Sequence, residues 1–215
     1  DSRLSRGLGD VYKRQTDKIY ALTQECSRMG IKVLKPNILY SRRGFVVNKN
    51  NEIEYGLGAI KGVADIFIKH ICETRNKFKF RDLWDFSKKV DIKLGGKKSL
   101  EALSQSGAFD SLSPSRSIAI ACVEDMLKDA SIQNGQSNLK SGDLFANFDE
   151  SFDPYDKYKN IQELTLSEKL EFEKKSLGYY LSGHPVIAID NKIKKIRKNR
   201  ISDLSKLNRN KMQSI

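Results

Sequence analysis

The chain has 215 residues, 39% apolar and 31% charged, with a formal net charge of +12, so it can hold one or two domains with a real core and suits a polyanionic partner, an excess that anionic membrane or ribosomal settings would also explain. No apolar run approaches the roughly 18 residues of a membrane span, and no signal peptide is visible. Three scattered cysteines (Cys26, Cys72, Cys122) and two histidines (His70, His184) lack any zinc-site spacing, which reads as a reduced, cytoplasmic protein.

Residues 1–15, ending in Ser5-Arg6-Gly7-Leu8-Gly9-Asp10-Val11-Tyr12-Lys13-Arg14-Gln15, read as translated linker and are set apart from functional reasoning. From Thr16, an N-cap candidate, Asp17 to Met29 reads as a helix with Ile19, Leu22, Cys26 and Met29 on one face, closed by Gly30. Ile31 to Leu34 is a short strand ended by Pro36. Phe45-Val46-Val47 and Ile53 to Leu57 flank Asn48-Lys49-Asn50-Asn51, a hairpin signal, though so few strands make no independent sheet.

Tyr55-Gly56-Leu57-Gly58-Ala59-Ile60-Lys61-Gly62-Val63 has the pattern of a helix-hairpin-helix entry. A short apolar helix runs into the turn Lys61-Gly62-Val63-Ala64, and a second helix follows from Asp65 to about Arg75, with Ile66, Phe67, Ile71 and the stem of Lys69 near its packing face. Free N–H groups of the turn and of the new helix's first residues then point outward together, which makes a phosphate-sized anion site. The spacing fits a helical hairpin with no ligand equally well. Asp82 to Val90 repeats the helical pattern with Leu83, Phe86 and Val90 inward and Trp84 on a flank. The turn Asp91-Ile92-Lys93-Leu94-Gly95-Gly96 then leads to a helix from Lys97 to Gln105, capped by Gly107. This reads as a second copy of the device, with Lys93, Lys97 and Lys98 crowding its turn.

Ser113-Pro114 has the form of a cap followed by proline at the first helical position, opening a helix to about Ile132 that buries Ile118, Cys122, Met126 and Ala130. The stretch 132–163, rich in Gln, Asn, Ser, Gly and Asp, reads as a flexible linker. Thr165-Leu166-Ser167-Glu168 is a capping box that starts a helix with Leu166, Leu170, Glu173, Leu177 and Leu181 on one stripe, stopped by Gly183 and Pro185. From Lys192 to Lys211 nine basic residues face the single acid Asp203, a run suited to nucleic acid. No catalytic residues and no metal ligands emerge: carboxylates are not clustered for two metal ions, and no Walker loop, GxSxG or triad spacing is present.

Taken together, several segments resemble the bacterial replicative DNA polymerase III alpha subunits, the C-family DNA polymerases. They are Thr16-Asp17-Lys18 with Glu25-Cys26-Ser27-Arg28-Met29-Gly30 and Pro36-Asn37; the Tyr55–Val63 stretch; Leu100-Glu101-Ala102-Leu103 with Ser106-Gly107-Ala108-Phe109-Asp110; and Glu173-Lys174-Lys175-Ser176-Leu177-Gly178-Tyr179-Tyr180-Leu181-Ser182-Gly183-His184-Pro185. The resemblance implies a mainly α fold: a tandem helix-hairpin-helix domain with a small β-hairpin at its start, a flexible linker, a long helix and the truncated start of an OB-fold. It divides the chain into 16–57 (end of the fingers), 58–131 (hairpin domain), 132–163 (linker), 164–191 (connecting helix) and 192–215 (basic lead-in to the OB domain). Both chain ends read as truncations.

On that resemblance the chain is part of a DNA-directed DNA polymerase, itself inactive without the catalytic palm, and the Mg2+ such an enzyme implies belongs to that palm. Duplex DNA would be held by Lys61, Gly62, Val63, Ala64, Lys93, Gly95, Gly96, Lys97 and Lys98. Ala64 stands where the family generally has glycine. Ser141-Gly142-Asp143-Leu144-Phe145 occupies the place of the family's sliding-clamp peptide, with Ser141 in place of the usual glutamine. Other replicase subunits are implied as partners through parts mostly outside this segment, and no membrane is. The alternatives are a non-catalytic helix-hairpin-helix accessory protein and a repair nuclease or ligase fragment.

Overall fold

The computed structural model describes residues 17–135, 153–183 and 185. The 1–15 segment, the Ser141–Phe145 peptide and the basic 192–215 segment with its expected OB-fold start lie outside the described residues. Among the described residues the fold is mainly α, with seven α-helices and one two-stranded sheet. Helix α1 covers 17–28; then come β1 (Val46–Val47), β2 (Ile53–Glu54), α2 (Asp65–Lys77), α3 (Leu83–Lys89), α4 (Gly96–Ser106), α5 (Arg116–Ala121), α6 (Val123–Gly135) and α7 (Leu166–Ser176). No helix among the described residues is long and apolar enough to cross a membrane.

The hairpin forms where turn chemistry demanded it. Strands β1 and β2 are antiparallel, with Val46 opposite Glu54 and Val47 opposite Ile53. The Asn48 side-chain oxygen accepts from the N–H groups of Asn50 (2.9 Å) and Glu52 (3.0 Å), so an Asx turn closes the loop. The expected strand at Ile31 to Leu34 shrinks to a single parallel bridge between Val33 and Ile53.

One core joins this region to the helices. Ile38, Tyr55 and Leu57 are buried with Phe67, Ile68 and Ile71 of α2, Leu83 and Phe86 of α3, and Leu100 and Leu103 of α4. Phe86 meets Phe80 and Phe109 edge-on, each at 5.1 Å between ring centroids, the geometry aromatic quadrupoles favour. Helix α4 is central, packing on α5, α6 and α7. The Ile38 N–H reaches across to the Ala108 carbonyl at 2.9 Å, so the stretch before residue 58 and the hairpin helices pack as a unit.

Several sequence expectations are corrected by packing. On α1, Ile19 and Cys26 are half-buried, whereas Leu22 is 57% exposed and Met29 is exposed too; only a narrow stripe of that helix meets the core. Ile66 is 62% exposed, and the inward face of α2 is Phe67, Ile68, Ile71 and Thr74. The short apolar helix before the first turn is a single 3-10 turn, Leu57–Ala59. The cap of α5 is Ser115, which accepts from the Ile118 N–H, and not Ser113, whose hydroxyl donates to the Ser115 carbonyl. The single expected helix to Ile132 is two, broken at Cys122. Burial pushes the Cys122 thiol up to about 11, in keeping with an inert core position.

The capping box at α7 is present as read: the Thr165 hydroxyl accepts from the Glu168 N–H and the Glu168 carboxylate accepts from Thr165. The helix nevertheless ends at Ser176, before a left-handed Gly178 (φ +87°), and does not continue to Gly183. Its end is set by Glu173. That carboxylate, 0% exposed, accepts from the N–H groups of Leu181 and Ser182 (2.8 Å each) and from the Ser182 hydroxyl. Arg116, 4% exposed, lies between Glu173 (3.4 Å) and Asp110, which it meets through two nitrogens at 3.1 and 2.5 Å. Burial opposes the guanidinium's charge, but the Asp110 and Glu173 carboxylates outweigh it and hold its pKa above the usual value. This knot ties the Ser106–Asp110 motif to the Glu173–Gly183 motif.

The linker read over 132–163 is ordered at both described ends. Helix α6 runs on to Gly135, and residues 153–161 dock on α3 and α6. The Tyr155 hydroxyl accepts from the Leu83 N–H (3.1 Å) and donates to the Leu112 carbonyl (3.2 Å), and burial pushes it up to about 12. Tyr158 donates to the Asp125 carboxylate, which also holds Lys157 at 2.6 Å. Composition signals looseness but carries no information about two tyrosines with pockets to fill.

Candidate nucleic-acid interface

The expected interface residues fall on two turns, and the fold seats those turns against each other. The first lies between the Leu57–Ala59 3-10 turn and α2. Gly62 has φ +90°, a left-handed conformation that costs an L side chain about 1–2 kcal/mol, so glycine makes the reversal. The second lies between α3 and α4, where Asp91 accepts from the Lys93 N–H and Ile92–Leu94 form a 3-10 turn. Gly95 is required by close packing: a Cβ there would stand 2.3 Å from the Phe67 ring of α2. Ser99 completes the junction, its hydroxyl donating to the Gly62 carbonyl and accepting from the Ala64 N–H, both at 3.2 Å.

Helix capping differs among the helices. Helices α3, α5 and α7 each begin with a side-chain cap, from Asp82, Ser115 and Thr165. Helices α2 and α4 begin at Ala64 and Gly95 with no side-chain cap. The first turn of α4 has no acidic residue to answer the helix dipole, whereas α2 carries Asp65 in its first turn, paired with Arg43. Two uncapped helix starts lie side by side.

Placement of the individual residues sharpens the sequence reading. Lys61, Lys93 and Lys98 are exposed and make no ion pair among the described residues. The Lys98 stem runs past Gly62, 3.2 Å from where a Cβ would stand. Lys97 is engaged: its ammonium is 2.6 Å from Glu124 and 3.9 Å from Glu101, and the Glu124 carboxylate holds its pKa above the usual lysine value. Ala64 has φ −75° and ψ 134°, an extended conformation, so it needs no glycine. Its N–H is bonded to Ser99, and the Lys61 N–H to the Ser176 carbonyl at 2.7 Å. The N–H groups of Lys61 and Ala64 are thus bonded within the fold and are not free to meet a phosphate, contrary to the sequence expectation. Sequence reasoning missed Ser99, whose role depends on its meeting Ala64, 35 residues away in sequence.

No group of three or more His, Cys, Asp or Glu side chains among the described residues is placed to hold a metal ion. The site presents basic side chains and helix starts, groups of the kind that hold an anion.

Comparison with known proteins agrees with this geometry. A model of the helix-hairpin-helix motif matches residues 30–119, which takes in both turns and the β-hairpin before them. The DNA polymerase III subunit alpha of Pseudomonas fluorescens is 35% identical over 88% of this chain and 18% of its own length. That of Haemophilus influenzae is 35% identical over 93% of the chain and 17% of its own length, and that of Escherichia coli K12 is 38% identical over 80% and 15%. The chain spans less than a fifth of the length of these curated relatives.

Proposed function

We propose that this chain, related to one segment of the DNA polymerase III alpha subunits, holds duplex DNA by its backbone through the paired turns. One observation carries the reading: α2 and α4, which start without side-chain caps, are joined at their starts by Ser99, with Lys61, Lys93 and Lys98 around them. A phosphate oxygen would complete each helix start, and the lysines would add charge without reading bases. Binding of this kind is sequence-independent and weakens steeply with salt.

In a whole replicative polymerase such a module would hold the product duplex while nucleotidyl transfer proceeds elsewhere. The Mg2+ of that chemistry would belong to the catalytic palm of such a polymerase, and the role proposed for this segment is holding the duplex. Ser141 to Phe145 would tether the sliding clamp, with Leu144 and Phe145 entering an apolar pocket. The basic 192–215 run would lead toward an OB-fold, other replicase subunits would meet parts outside this segment, and the setting would be the bacterial cytoplasm.

Duplex titration tests the main claim. Lys97→Glu with Lys98→Glu should weaken binding and flatten its salt dependence; unchanged affinity and slope would refute it. For the clamp, a peptide spanning residues 140–148 should compete for the sliding clamp, and alanine at Leu144 and Phe145 should abolish competition. Competition that survives the replacement would exclude that pentapeptide.

A further inference from the structure

Gly56 and Gly58, prominent in the sequence motif, do not serve the paired turns. A Cβ on Gly56 would stand 2.7 Å from the Gly44 carbonyl carbon, and one on Gly58 would stand 2.8 Å from the Arg43 carbonyl oxygen. The backbone of Arg43, Gly44 and Phe45 occupies the space two side chains would fill. It is fastened there by the Leu57 N–H to the Arg42 carbonyl (2.8 Å) and the Gly58 N–H to the Arg43 carbonyl (2.9 Å). Arg75 pins the preceding loop through the carbonyls of Ile38 (2.7 Å) and Ser41 (2.9 Å). Two consecutive arginines are thus mounted on a fixed backbone beside the start of α2.

These arginines line an open groove of about 760 Å³ along one face of α2. Four cationic side chains, Arg42, Arg43, Lys69 and Arg75, face two carboxylates, Asp65 and Glu73. Arg43 meets Asp65 at 3.1 and 2.7 Å, and Lys69 is a distant 3.9 Å from Glu73. The Arg42 side chain makes no ion pair or hydrogen bond among the described residues. From Asp65 to Asn76 the groove follows α2 for about 16 Å at 1.5 Å per residue. Its near end, at Asp65, is the first residue of α2, directly after the turn residue Ala64. A solvated arginine pair would need neither the fixed backbone nor the groove.

We propose that this groove is a second backbone-phosphate site, taking one strand of the nucleic acid that leaves the paired turns and runs along α2. The proposal rests on the backbone-holding reading above. Arg42 meets the strand directly, while Arg43 exchanges Asp65 for a phosphate, so Asp65 restrains binding. Neutralising that acid should therefore tighten it.

The test uses the whole chain and a short labelled duplex over a salt series, with four proteins: unaltered, Arg42→Ala with Arg43→Ala, Asp65→Asn, and Lys61→Ala with Lys98→Ala. Each released phosphate contact should lower the slope of log K against log salt by about 0.9. The arginine variant should lose about two such contacts, and Asp65→Asn should bind several-fold tighter, a gain that misfolding cannot produce. If the lysine variant loses affinity while the arginine variant and Asp65→Asn match the unaltered protein, the groove is not a phosphate site and the paired-turn reading stands. If the unaltered chain binds no duplex, both fail. If poly-glutamate binds as tightly as DNA at equal ionic strength, the occupant is an acidic polypeptide and the nucleic-acid assignment is overturned.

Discussion

Replacing Arg116 with methionine should destabilise the folded chain by about 3–5 kcal/mol, the usual cost of removing one member of a buried ion pair. The magnitude follows from which carboxylate is stranded. Asp110 is 40% exposed along its side chain and can be hydrated, so its lost pair counts little. Glu173 cannot: it keeps its bonds from the Leu181 and Ser182 N–H groups and the Ser182 hydroxyl but loses its cation. At about 2–4 °C per kcal/mol for a chain of this size, the melting temperature should fall by about 6–20 °C. Far-UV circular dichroism against temperature and urea reads both. The double change Arg116→Met with Glu173→Met should cost clearly less than the two single changes summed, because the pair is removed together. A single Arg116→Met variant within about 1 kcal/mol of the unaltered protein would refute a charged knot between α5 and α7.

Two further outcomes are expected. Gly95→Ala should destabilise by about 1–3 kcal/mol through overpacking against the buried Phe67 ring, read as a lowered urea midpoint with an unchanged m-value. The chain's one tryptophan, Trp84, has the Lys157 ammonium 6.0 Å from its ring, and so reports on the docked 153–161 segment. The Lys157 ammonium and the Tyr158 hydroxyl hold the Asp125 carboxyl below the usual carboxylate range. Its contribution is therefore full above the unfolded value of about 3.9 and is lost as pH falls through the lower folded value. Trp84 emission should shift on acidification below about pH 4, and Asp125→Asn should show no such step; an identical acid step in that variant would remove Asp125 from the account.

Local signals made much of the fold legible. The Asn48 turn, the Thr165 capping box, α3 and α4 all rest on neighbours within four residues, and each stands as read. What failed depended on distance. Periodicity placed Leu22 and Ile66 inward, but the core meets only part of each helix. Ser113-Pro114 carried a good cap pattern, yet Ser115 took the role because Arg116 had to turn into the knot. The stripe from Leu166 to Leu181 overran because Glu173, read as a member of an apolar face, is the acceptor that folds the chain back. At the candidate site the two glycine turns were legible. Their junction through Ser99 and the pairing of Lys97 with Glu124 were not, because each joins segments far apart in sequence, and the packing of the Arg43–Gly44 backbone on Gly56 and Gly58 has no local signal.

The most direct measurement of the central claim is the salt dependence of duplex affinity for the unaltered chain and for Lys61→Ala with Lys98→Ala, on several unrelated duplex sequences. Both lysines are exposed beside the uncapped helix starts. The account predicts equal affinity across sequences and a slope shallower by about two phosphate contacts in the variant. A slope that does not change, or an affinity that depends on base sequence, would contradict it.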